Sequence, residues 1–212
     1  MNDAAPETTP QRPRVLIAED EALIRLDLAE MLDEEGYDVV GQAADGLEAV
    51  ELATSLRPAL VVMDVKMPRL DGIAAAGQIT AERIAPVVML TAFSQRELVE
   101  RARDAGAMSY LVKPFTASDL VPAIEMARSR YAELVALESE ARDLGEQLAT
   151  RKLVERAKAQ LQRTLGLSEP DAFGWIQRTA MDLRLSMRQV AEKVLEQDQA
   201  AGGGRDDGQI GT

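Results

Sequence analysis

The 212-residue chain contains no cysteine and no histidine. The lack of cysteine excludes disulfides and thiolate metal sites, and it is typical of proteins from a reducing compartment. The lack of histidine removes the side chain that most often binds metals or acts as a general base. Aromatic residues make up only 3 % of the chain and apolar residues 46 %, so aliphatic side chains must build the core.

Long apolar runs are also missing. No segment approaches the ~20 apolar residues that a membrane-spanning helix needs. The N-terminal segment MNDAAPETTPQRP has no apolar stretch of the kind found in signal peptides. We therefore expect a soluble cytoplasmic protein.

The net charge of −12 is unevenly distributed along the chain. Residues 151–193 contain nine basic and five acidic side chains, a net charge of +4, whereas the rest of the chain carries −16. An acidic protein is an unusual partner for nucleic acid. The basic segment nevertheless indicates a separate module with its own binding partner.

Short aliphatic runs alternate with amphipathic segments between residues 14 and 130. The runs have the length and β-branched content of strands, and the segments between them have apolar residues at helical spacing. Near-continuous apolar strands in β–α repeats predict a doubly wound α/β domain, with a parallel sheet covered on both faces. The predicted strands are residues 14–19, 37–42, 59–64, 86–91 and 108–112.

Beyond residue 116 the pattern is helical only. Apolar residues recur at alternating spacings of three and four, which is typical of a short coiled coil, although one apolar stripe packed against a neighbouring helix explains it too. Three short amphipathic segments follow and predict a small all-α domain of three helices, with Phe173 and Ile176 on the apolar face of the second. The repeating residues are Leu134, Leu137, Ala141, Leu144 and Leu148.

These patterns predict five segments. The two ends are rich in Pro, Thr, Ala or Gly and are expected to be disordered. The segments are an arm (1–13), the α/β domain (14–130), a coiled-coil-like helical linker (131–150), the three-helix domain (151–197) and a tail (198–212).

Carboxylates stand at the ends of two predicted strands. The first strand ends at Glu19 and Asp20, and the third ends at Asp64. If the strand order is 2-1-3-4-5, these strands are neighbours, and their ends meet at the switch point where doubly wound sheets bind ligands. Three carboxylates at such short range repel one another. A hard cation such as Mg²⁺ relieves that repulsion.

The other strand ends supply a hydroxyl, Thr91, and a cation, Lys113. Together with the carboxylates they suit a phosphoryl group. Asp64 is an oxygen nucleophile that can form an acyl phosphate, while Mg²⁺ and Lys113 neutralise the transferring oxygens. Thr91 is expected to hydrogen-bond one of these oxygens, and Phe93 to shield the phosphoryl group from water.

In this arrangement the chain resembles the receiver domain of two-component response regulators over residues 14–130. The resemblance implies a flavodoxin-like fold and phosphorylation by a sensor histidine kinase. The residues that carry it are Glu19-Asp20, Asp64 followed by Met67-Pro68 and Asp71-Gly72, Thr91-Ala92, and Lys113-Pro114.

The resemblance also implies a role for each residue of the site. Asp64 is the phosphoacceptor, Thr91 and Lys113 contact the phosphoryl group, and Thr91 and Tyr110 form the switch. Glu19 stands where many relatives have aspartate, so the metal geometry is expected to differ slightly. The implied magnesium ligands are Glu19, Asp20, Asp64 and the backbone carbonyl of Lys66.

The basic segment resembles the ANTAR domain, the RNA-binding module of transcription antiterminators. Ala159-Gln160 departs from the usual pattern of Gly and an aliphatic residue. A receiver followed by a coiled linker and an ANTAR domain is the arrangement of phosphorylation-dependent antitermination regulators. The matching residues are Ala157-Lys158, Gly166-Leu167-Ser168, Asp171-Ala172-Phe173, Ala180-Met181 and Val190-Ala191.

Binding to RNA stem-loops is what this second resemblance implies. Basic side chains would contact phosphates and Trp175 would stack on an unpaired base, although packing in the core is an alternative role for Trp175. A homodimer formed on phosphorylation through the leucine seam would raise affinity for paired stem-loops. The candidate basic residues are Arg156, Lys158, Arg163, Arg178 and Arg188.

Other functions stay open at this point. The three-helix domain could bind a protein partner or duplex DNA instead of RNA. An aspartyl-phosphate phosphohydrolase needs a second aspartate two residues after the nucleophile, and that residue is Lys66. We therefore expect no enzyme activity beyond assistance to the protein's own phosphorylation and dephosphorylation.

Overall fold

The computed structural model describes residues 12–92 and 96–202, without the side chains of 96–99 and 197–202. The predicted arm up to residue 11, the tail beyond residue 202 and Phe93 lie outside these residues. The described part of the chain divides into two compact units between Ala136 and Leu137. Within the described residues, no helix has the length and apolar character needed to span a membrane.

The first unit contains a five-stranded parallel sheet with the predicted order β2-β1-β3-β4-β5. Every residue of the third and fourth strands is buried, as expected for strands covered on both faces. The strands are β1 (Arg14–Ala18), β2 (Asp38–Ala43), β3 (Leu60–Asp64), β4 (Val87–Thr91) and β5 (Ser109–Val112).

Helices cover the two faces of this sheet. Successive strand residues point to opposite faces, so Val61 and Met63 join one core while Leu60 and Val62 join another. The first core includes buried residues of α2 and α3, and the second includes buried residues of α1 and the start of α5. The helices are α1 (Ala22–Glu34), α2 (Gly46–Leu56), α3 (Gly72–Ala81), α4 (Arg96–Asp104) and α5 (Ala117–Leu165).

Aspartates fix the start of two helices beside the carboxyl ends of the strands. The Asp45 carboxylate accepts hydrogen bonds of 3.0 Å from the backbone N–H groups of Leu47 and Glu48, and Asp71 accepts one of 2.8 Å from Ala74. Such N-caps satisfy backbone donors that the helix itself leaves free. The caps therefore define where α2 and α3 begin.

The second unit consists of the later part of α5, α6 (Glu169–Leu183) and α7 (Met187–Gly202). The Ser168 hydroxyl accepts from the N–H of Asp171 at 3.3 Å and caps α6. The expectation that Phe173 lies in the core is wrong, because its side chain is 43 % exposed. Ala172 is buried instead, since residues 172, 176 and 180 repeat every four positions along one face of α6.

The predicted leucine seam lies on α5. Within the single chain Leu134 is partly buried, whereas the other three leucines of the seam are exposed: 57 % for Leu137, 54 % for Leu144 and 60 % for Leu148. A row of exposed leucines at heptad spacing is an unsatisfied apolar stripe, as in one helix of a coiled coil.

Two glycines of α3 differ sharply in the space around them. A Cβ on Gly72 would lie 1.9 Å from the carbonyl oxygen of Asp64, whereas the nearest atom to a Cβ on Gly77 is 3.9 Å away. We expect Gly72→Ala to lower the free energy of unfolding by about 1–3 kcal/mol, because backbone must move to admit the methyl group. The matched variant Gly77→Ala should be neutral or stabilising by up to ~1 kcal/mol. Urea denaturation of both variants measures the difference, and equal effects would contradict the close approach.

Candidate functional site

A pocket of about 210 Å³ opens where the carboxyl ends of β1, β3, β4 and β5 meet. The order of the sheet places these ends side by side, at the switch point between β1 and β3. The pocket collects most of the residues that the strand ends predict. Its lining residues are Asp20, Glu21, Asp64, Val65, Lys66, Thr91, Ala92 and Lys113.

Three carboxylates converge at this pocket. Glu19, Asp20 and Asp64 each have an oxygen within 4.8 Å of the others. Glu19 is fully buried and Asp64 is 6 % exposed, while Asp20 is exposed. Glu19 follows β1 directly, and its N–H continues the pairing with β2 through a 3.0 Å bond to the carbonyl of Ala43.

The ammonium of Lys113 lies between two of these carboxylates. Its Nζ is 2.6 Å from Asp64 Oδ1 and 2.6 Å from Glu19 Oε2. The backbone N–H of Lys113 donates to the carbonyl of Thr91 at 2.8 Å, which extends the β4–β5 pairing by one residue. The pairing of β4 with β5 therefore positions the Lys113 ammonium beside the two carboxylates.

Burial and the neighbouring charges together shift the pKa values of two groups in this cluster. Burial opposes the charged form of Lys113, but hydrogen bonds to Asp64 and Glu19 outweigh burial and raise the Lys113 pKa. Burial also raises the pKa of Glu19, although the hydrogen bond from Lys113 acts in the opposite direction. Lys113 is accordingly a fixed cation at neutral pH.

The oxygen atoms around the pocket suit a hard divalent cation. Glu19 Oε1 is buried and has no hydrogen-bond partner among the described residues. A buried carboxylate oxygen in that condition is costly unless a donor or a cation compensates it. The backbone of Lys66 reaches the cluster, because its N–H donates to Asp64 Oδ2 at 2.6 Å and Lys66 lines the pocket. Carboxylate and carbonyl oxygens beside an open pocket are the ligands that Mg²⁺ prefers.

The two residues of the predicted switch lie on neighbouring strands. Thr91 is the last residue of β4, is buried and lines the pocket. Tyr110 lies on β5, where it pairs with Met89, and its side chain is 49 % exposed.

Three further residues near the site were missed by the sequence analysis. The Arg25 guanidinium, on α1, donates to the backbone carbonyls of Glu19 and Asp20. Asp45 lies two residues after the end of β2 and forms an ion pair with Arg69, in the loop after β3. An acid shortly after a strand is a weaker form of the signal that identified Asp64, which is the last residue of β3. The two arginines have no such signal, because their partners are brought close only by the fold.

The candidate RNA-contacting arginines lie in the second unit. Arg156, Arg163, Arg178 and Arg188 are all exposed. Arg156 and Arg178 form no ion pair with any described residue, whereas Arg188 pairs with Glu192 at 2.9 Å.

Lys158 and Trp175 are more enclosed than the arginines. Lys158 is 7 % exposed, with its Nζ 2.7 Å from Glu169 and 3.1 Å from Glu155. These hydrogen bonds raise the Lys158 pKa, and the bond to Glu169 contributes more than the bond to Glu155. Trp175 is partly buried and packs against the core of the three helices. Both side chains thus hold the helices together.

If the three carboxylates hold magnesium, the ion should stabilise the folded chain, because these side chains converge only in the native state. At a magnesium concentration of ~100 times Kd, the expected gain in free energy of unfolding is about 2.7 kcal/mol. Asp20→Asn should weaken magnesium binding by at least about tenfold and reduce this gain. The matched control is Asp38→Asn, because Asp38 is an exposed acid at the start of β2, the end of the strand away from the pocket. Urea denaturation with and without magnesium provides the measurement, and an equal gain in both variants would exclude Asp20 as a ligand.

Comparison with known proteins identifies two families along the chain. The family model of the response regulator receiver domain matches residues 15–125, and that of the ANTAR domain matches residues 142–195. The first match covers the unit that contains the candidate site. The second covers the basic segment.

Relatives and solved structures agree with these matches. The transcriptional regulatory protein PdtaR of Mycobacterium tuberculosis (strain ATCC 25618 / H37Rv) is 70 % identical over 183 residues, which cover 86 % of this chain and 89 % of that protein. The receiver domain of a modulated diguanylate cyclase from Desulfovibrio desulfuricans G20 is 35 % identical, with a TM-score of 0.54, over 57 % of this chain and 98 % of that one. The receiver domain of the response regulator NarL from Mycobacterium tuberculosis is 28 % identical, with a TM-score of 0.55. The match covers 57 % of this chain and 98 % of that one. The chain therefore belongs to the two-component response regulators in which a receiver domain is followed by an ANTAR domain.

Proposed function

We propose that this response regulator controls transcription antitermination through phosphorylation of Asp64. A sensor histidine kinase supplies the phosphoryl group, and phosphorylation controls the binding of RNA stem-loops by the ANTAR domain. The observation that carries the proposal is the Asp64 carboxylate, held by Lys113 and placed within 4.8 Å of Glu19 and Asp20. The proposed boundaries are 14–130 for the receiver, 131–150 for the linker and 151–197 for the ANTAR domain.

Both oxygens of Asp64 are held in place before the reaction. Oδ1 contacts Lys113, and Oδ2 accepts from the N–H of Lys66. In the proposed step an Asp64 oxygen attacks phosphorus, a phosphorus–oxygen bond forms, and the phosphorus–nitrogen bond of the kinase phosphohistidine breaks. When bound by Glu19, Asp20, Asp64 and the Lys66 carbonyl, magnesium neutralises the phosphoryl oxygens. Lys113 pairs with another of these oxygens.

The new phosphoryl group adds a charge of about −1.5 to −2 at the end of β3. The Thr91 hydroxyl, which lines the same pocket, hydrogen-bonds it in the proposed active state. Tyr110 follows Thr91 inward, because the two residues lie on paired strands and Tyr110 is half exposed before phosphorylation. The surface formed by β4 and β5 changes as a result.

Acetyl phosphate with magnesium should add one phosphoryl group to the wild-type chain and none to Asp64→Asn. Asp104→Asn, an exposed acid at the end of α4, serves as the matched control and should be modified like the wild type. Intact-protein mass spectrometry measures the modification. A phosphorylated Asp64→Asn variant would place the phosphoacceptor elsewhere.

Support for RNA binding comes from the second unit. The segment 151–193 carries a net charge of +4, and the family match to the ANTAR domain covers it. In the proposed interface Arg156 and Arg178 contact phosphates directly, since neither is held by a described acid. Arg163 and Arg188 extend the basic surface. Lys158 and Trp175 contribute mainly through the packing of the three helices, because both are largely enclosed.

The exposed leucine seam supports a homodimer. Leu137, Leu144 and Leu148 would be covered by the same stripe of a second chain. Two ANTAR domains joined in this way can bind two neighbouring stem-loops at once. The second stem-loop then binds at a high effective concentration, which raises the overall affinity. We propose that phosphorylation favours this dimer.

A protein partner is the competing function of the three-helix domain. A pocket of about 650 Å³ is lined by the exposed Phe173 with Val154 and Met187, and by three acidic residues and one arginine. A partly apolar lining with more acidic than basic side chains suits a basic peptide better than RNA. Salt dependence separates the two functions, because phosphate contacts weaken steeply as salt rises.

Arg156→Gln and Arg178→Gln should each weaken binding of phosphorylated protein to stem-loop RNA. Each variant should also reduce the slope of log K against log [salt] by about 0.7–0.9, the value for one lost phosphate contact. The matched control is Arg103→Gln, an exposed arginine of α4. Gel-shift titrations over a range of salt, with matching duplex DNA as competitor, provide the measurement. Salt-insensitive binding, or tighter binding to the duplex, would contradict the RNA interface.

A further inference from the structure

The loop from Val65 to Asp71 connects the phosphoacceptor strand to α3 and contains the Lys66 carbonyl. The two ends of this loop are fixed near Asp64. The N–H of Lys66 donates to Asp64 Oδ2 at 2.6 Å, and the N–H of Gly72 donates to the carbonyl of Val65 at 2.9 Å. What holds the middle of the loop is a separate contact, made by Arg69.

Arg69 binds the carboxylate that caps α2. Its Nε donates to Asp45 Oδ2 at 2.7 Å, and one of its terminal nitrogens contacts the same oxygen. The other oxygen, Oδ1, accepts the N–H groups of Leu47 and Glu48. Asp45 is 8 % exposed. One buried carboxylate therefore joins the start of α2 to the loop after β3, and both of its oxygens are used.

Two features show that the loop is closely fitted at this point. Arg69 has a φ of +63°, a backbone conformation that side chains other than glycine rarely adopt. The neighbouring residue, Leu70, places its carbonyl oxygen against Gly46, where a Cβ would lie 2.2 Å from that oxygen. Only glycine at position 46 allows this approach, and the ion pair holds Arg69 in its unusual conformation.

We propose that the Asp45–Arg69 ion pair is a positioning device that holds the 65–71 loop, and with it the Lys66 carbonyl, in the geometry needed to bind Mg²⁺ rather than a larger cation. The inference rests on the proposed function, since it assumes that Lys66 supplies a metal ligand. Mg²⁺ demands near-ideal octahedral geometry, whereas Ca²⁺ accepts flexible and larger sites. Loosening the loop should therefore cost more affinity for Mg²⁺ than for Ca²⁺.

The variants can be chosen so that they remove the ion pair and keep the fold. Arg69→Gly deletes the guanidinium and introduces the residue best suited to a positive φ. Asp45→Asn keeps an oxygen to cap α2 but replaces the charged acceptor of Arg69 with an amide. The matched control is Arg57→Gly, because Arg57 is an exposed arginine in the same left-handed region (φ +46°) at the end of α2. Arg57 lies at the end of α2 opposite Asp45.

Isothermal titration calorimetry of the full-length chain tests the proposal. It measures the Kd for Mg²⁺ and for Ca²⁺ in the absence of a phosphodonor. Arg69→Gly and Asp45→Asn should each raise the Kd for Mg²⁺ by about tenfold, the usual effect of removing a group that orients a ligand. The Kd for Ca²⁺ should change less, so the preference for Mg²⁺ falls. The double variant should be no weaker than the weaker single variant, because both changes remove one shared interaction. Arg57→Gly should match the wild type.

Three results would overturn the positioning role: an unchanged Kd for Mg²⁺ in both single variants, equal losses for Mg²⁺ and Ca²⁺, or additive losses in the double variant. Thermal denaturation of each variant shows whether the fold is kept, and Asp45→Asn decides the matter if Arg69→Gly melts early. A wild-type chain that binds no Mg²⁺ would overturn the proposed function and this inference together. Normal wild-type binding with unaffected variants would overturn this inference alone.

Discussion

The ammonium of Lys113, bound to two buried carboxylates, is the contact around which the site is built. Glu19 and Lys113 are 94 residues apart in sequence, and only the sheet order β2-β1-β3-β4-β5 brings the ends of their strands to one edge. Burying a carboxylate without a partner is strongly unfavourable, so Glu19 and Asp64 depend on that cation. The cation neutralises only part of the negative charge of the cluster. The same arrangement thus keeps the resting site folded and leaves it able to accept a divalent ion.

The two units of the chain are stabilised in different ways. In the first, every residue of β3 and β4 is buried between two aliphatic cores, which gives the strand ends a rigid base. In the second, the core consists largely of alanine and valine, and such a thin core provides little hydrophobic free energy. The Lys158 ammonium adds a polar link between α5 and Glu169 of α6. A basic residue in a binding module is therefore not automatically a contact for its ligand.

Much of the first unit could be predicted from the sequence, because four of the five strands end on, or are followed directly by, a chemically distinctive residue. Asp64 and Thr91 end their strands, and Glu19 and Lys113 directly follow theirs, whereas Asp45 lies two residues beyond β2. The roles of Arg25 and Arg69 could not be predicted, since their partners are backbone carbonyls and a carboxylate that only the fold brings near. In the second unit, Ala172 and Phe173 are adjacent and differ by one helical step, so an alanine-rich pattern does not decide which of them is buried. Charge alone likewise did not reveal that Lys158 is enclosed by two glutamates.

The position of Lys113 also constrains how phosphorylation can be transmitted. Its side chain binds Asp64, its backbone N–H binds the carbonyl of Thr91, and α5 begins at Ala117, four residues later. In the proposed reaction Asp64 becomes an acyl phosphate, and Lys113 would exchange a carboxylate for a phosphoryl oxygen in the pocket that Thr91 also lines. Under this proposal, a shift of β5 relative to β4 would occur only a few residues before the helix that continues to Leu165 in the ANTAR segment. Coupling between the phosphorylation site and the RNA-binding site requires an element with two arrangements. The equilibrium between these arrangements must depend on the state of each site. Under the proposed function, the half-exposed Tyr110 on β5 would change its surroundings between the two arrangements.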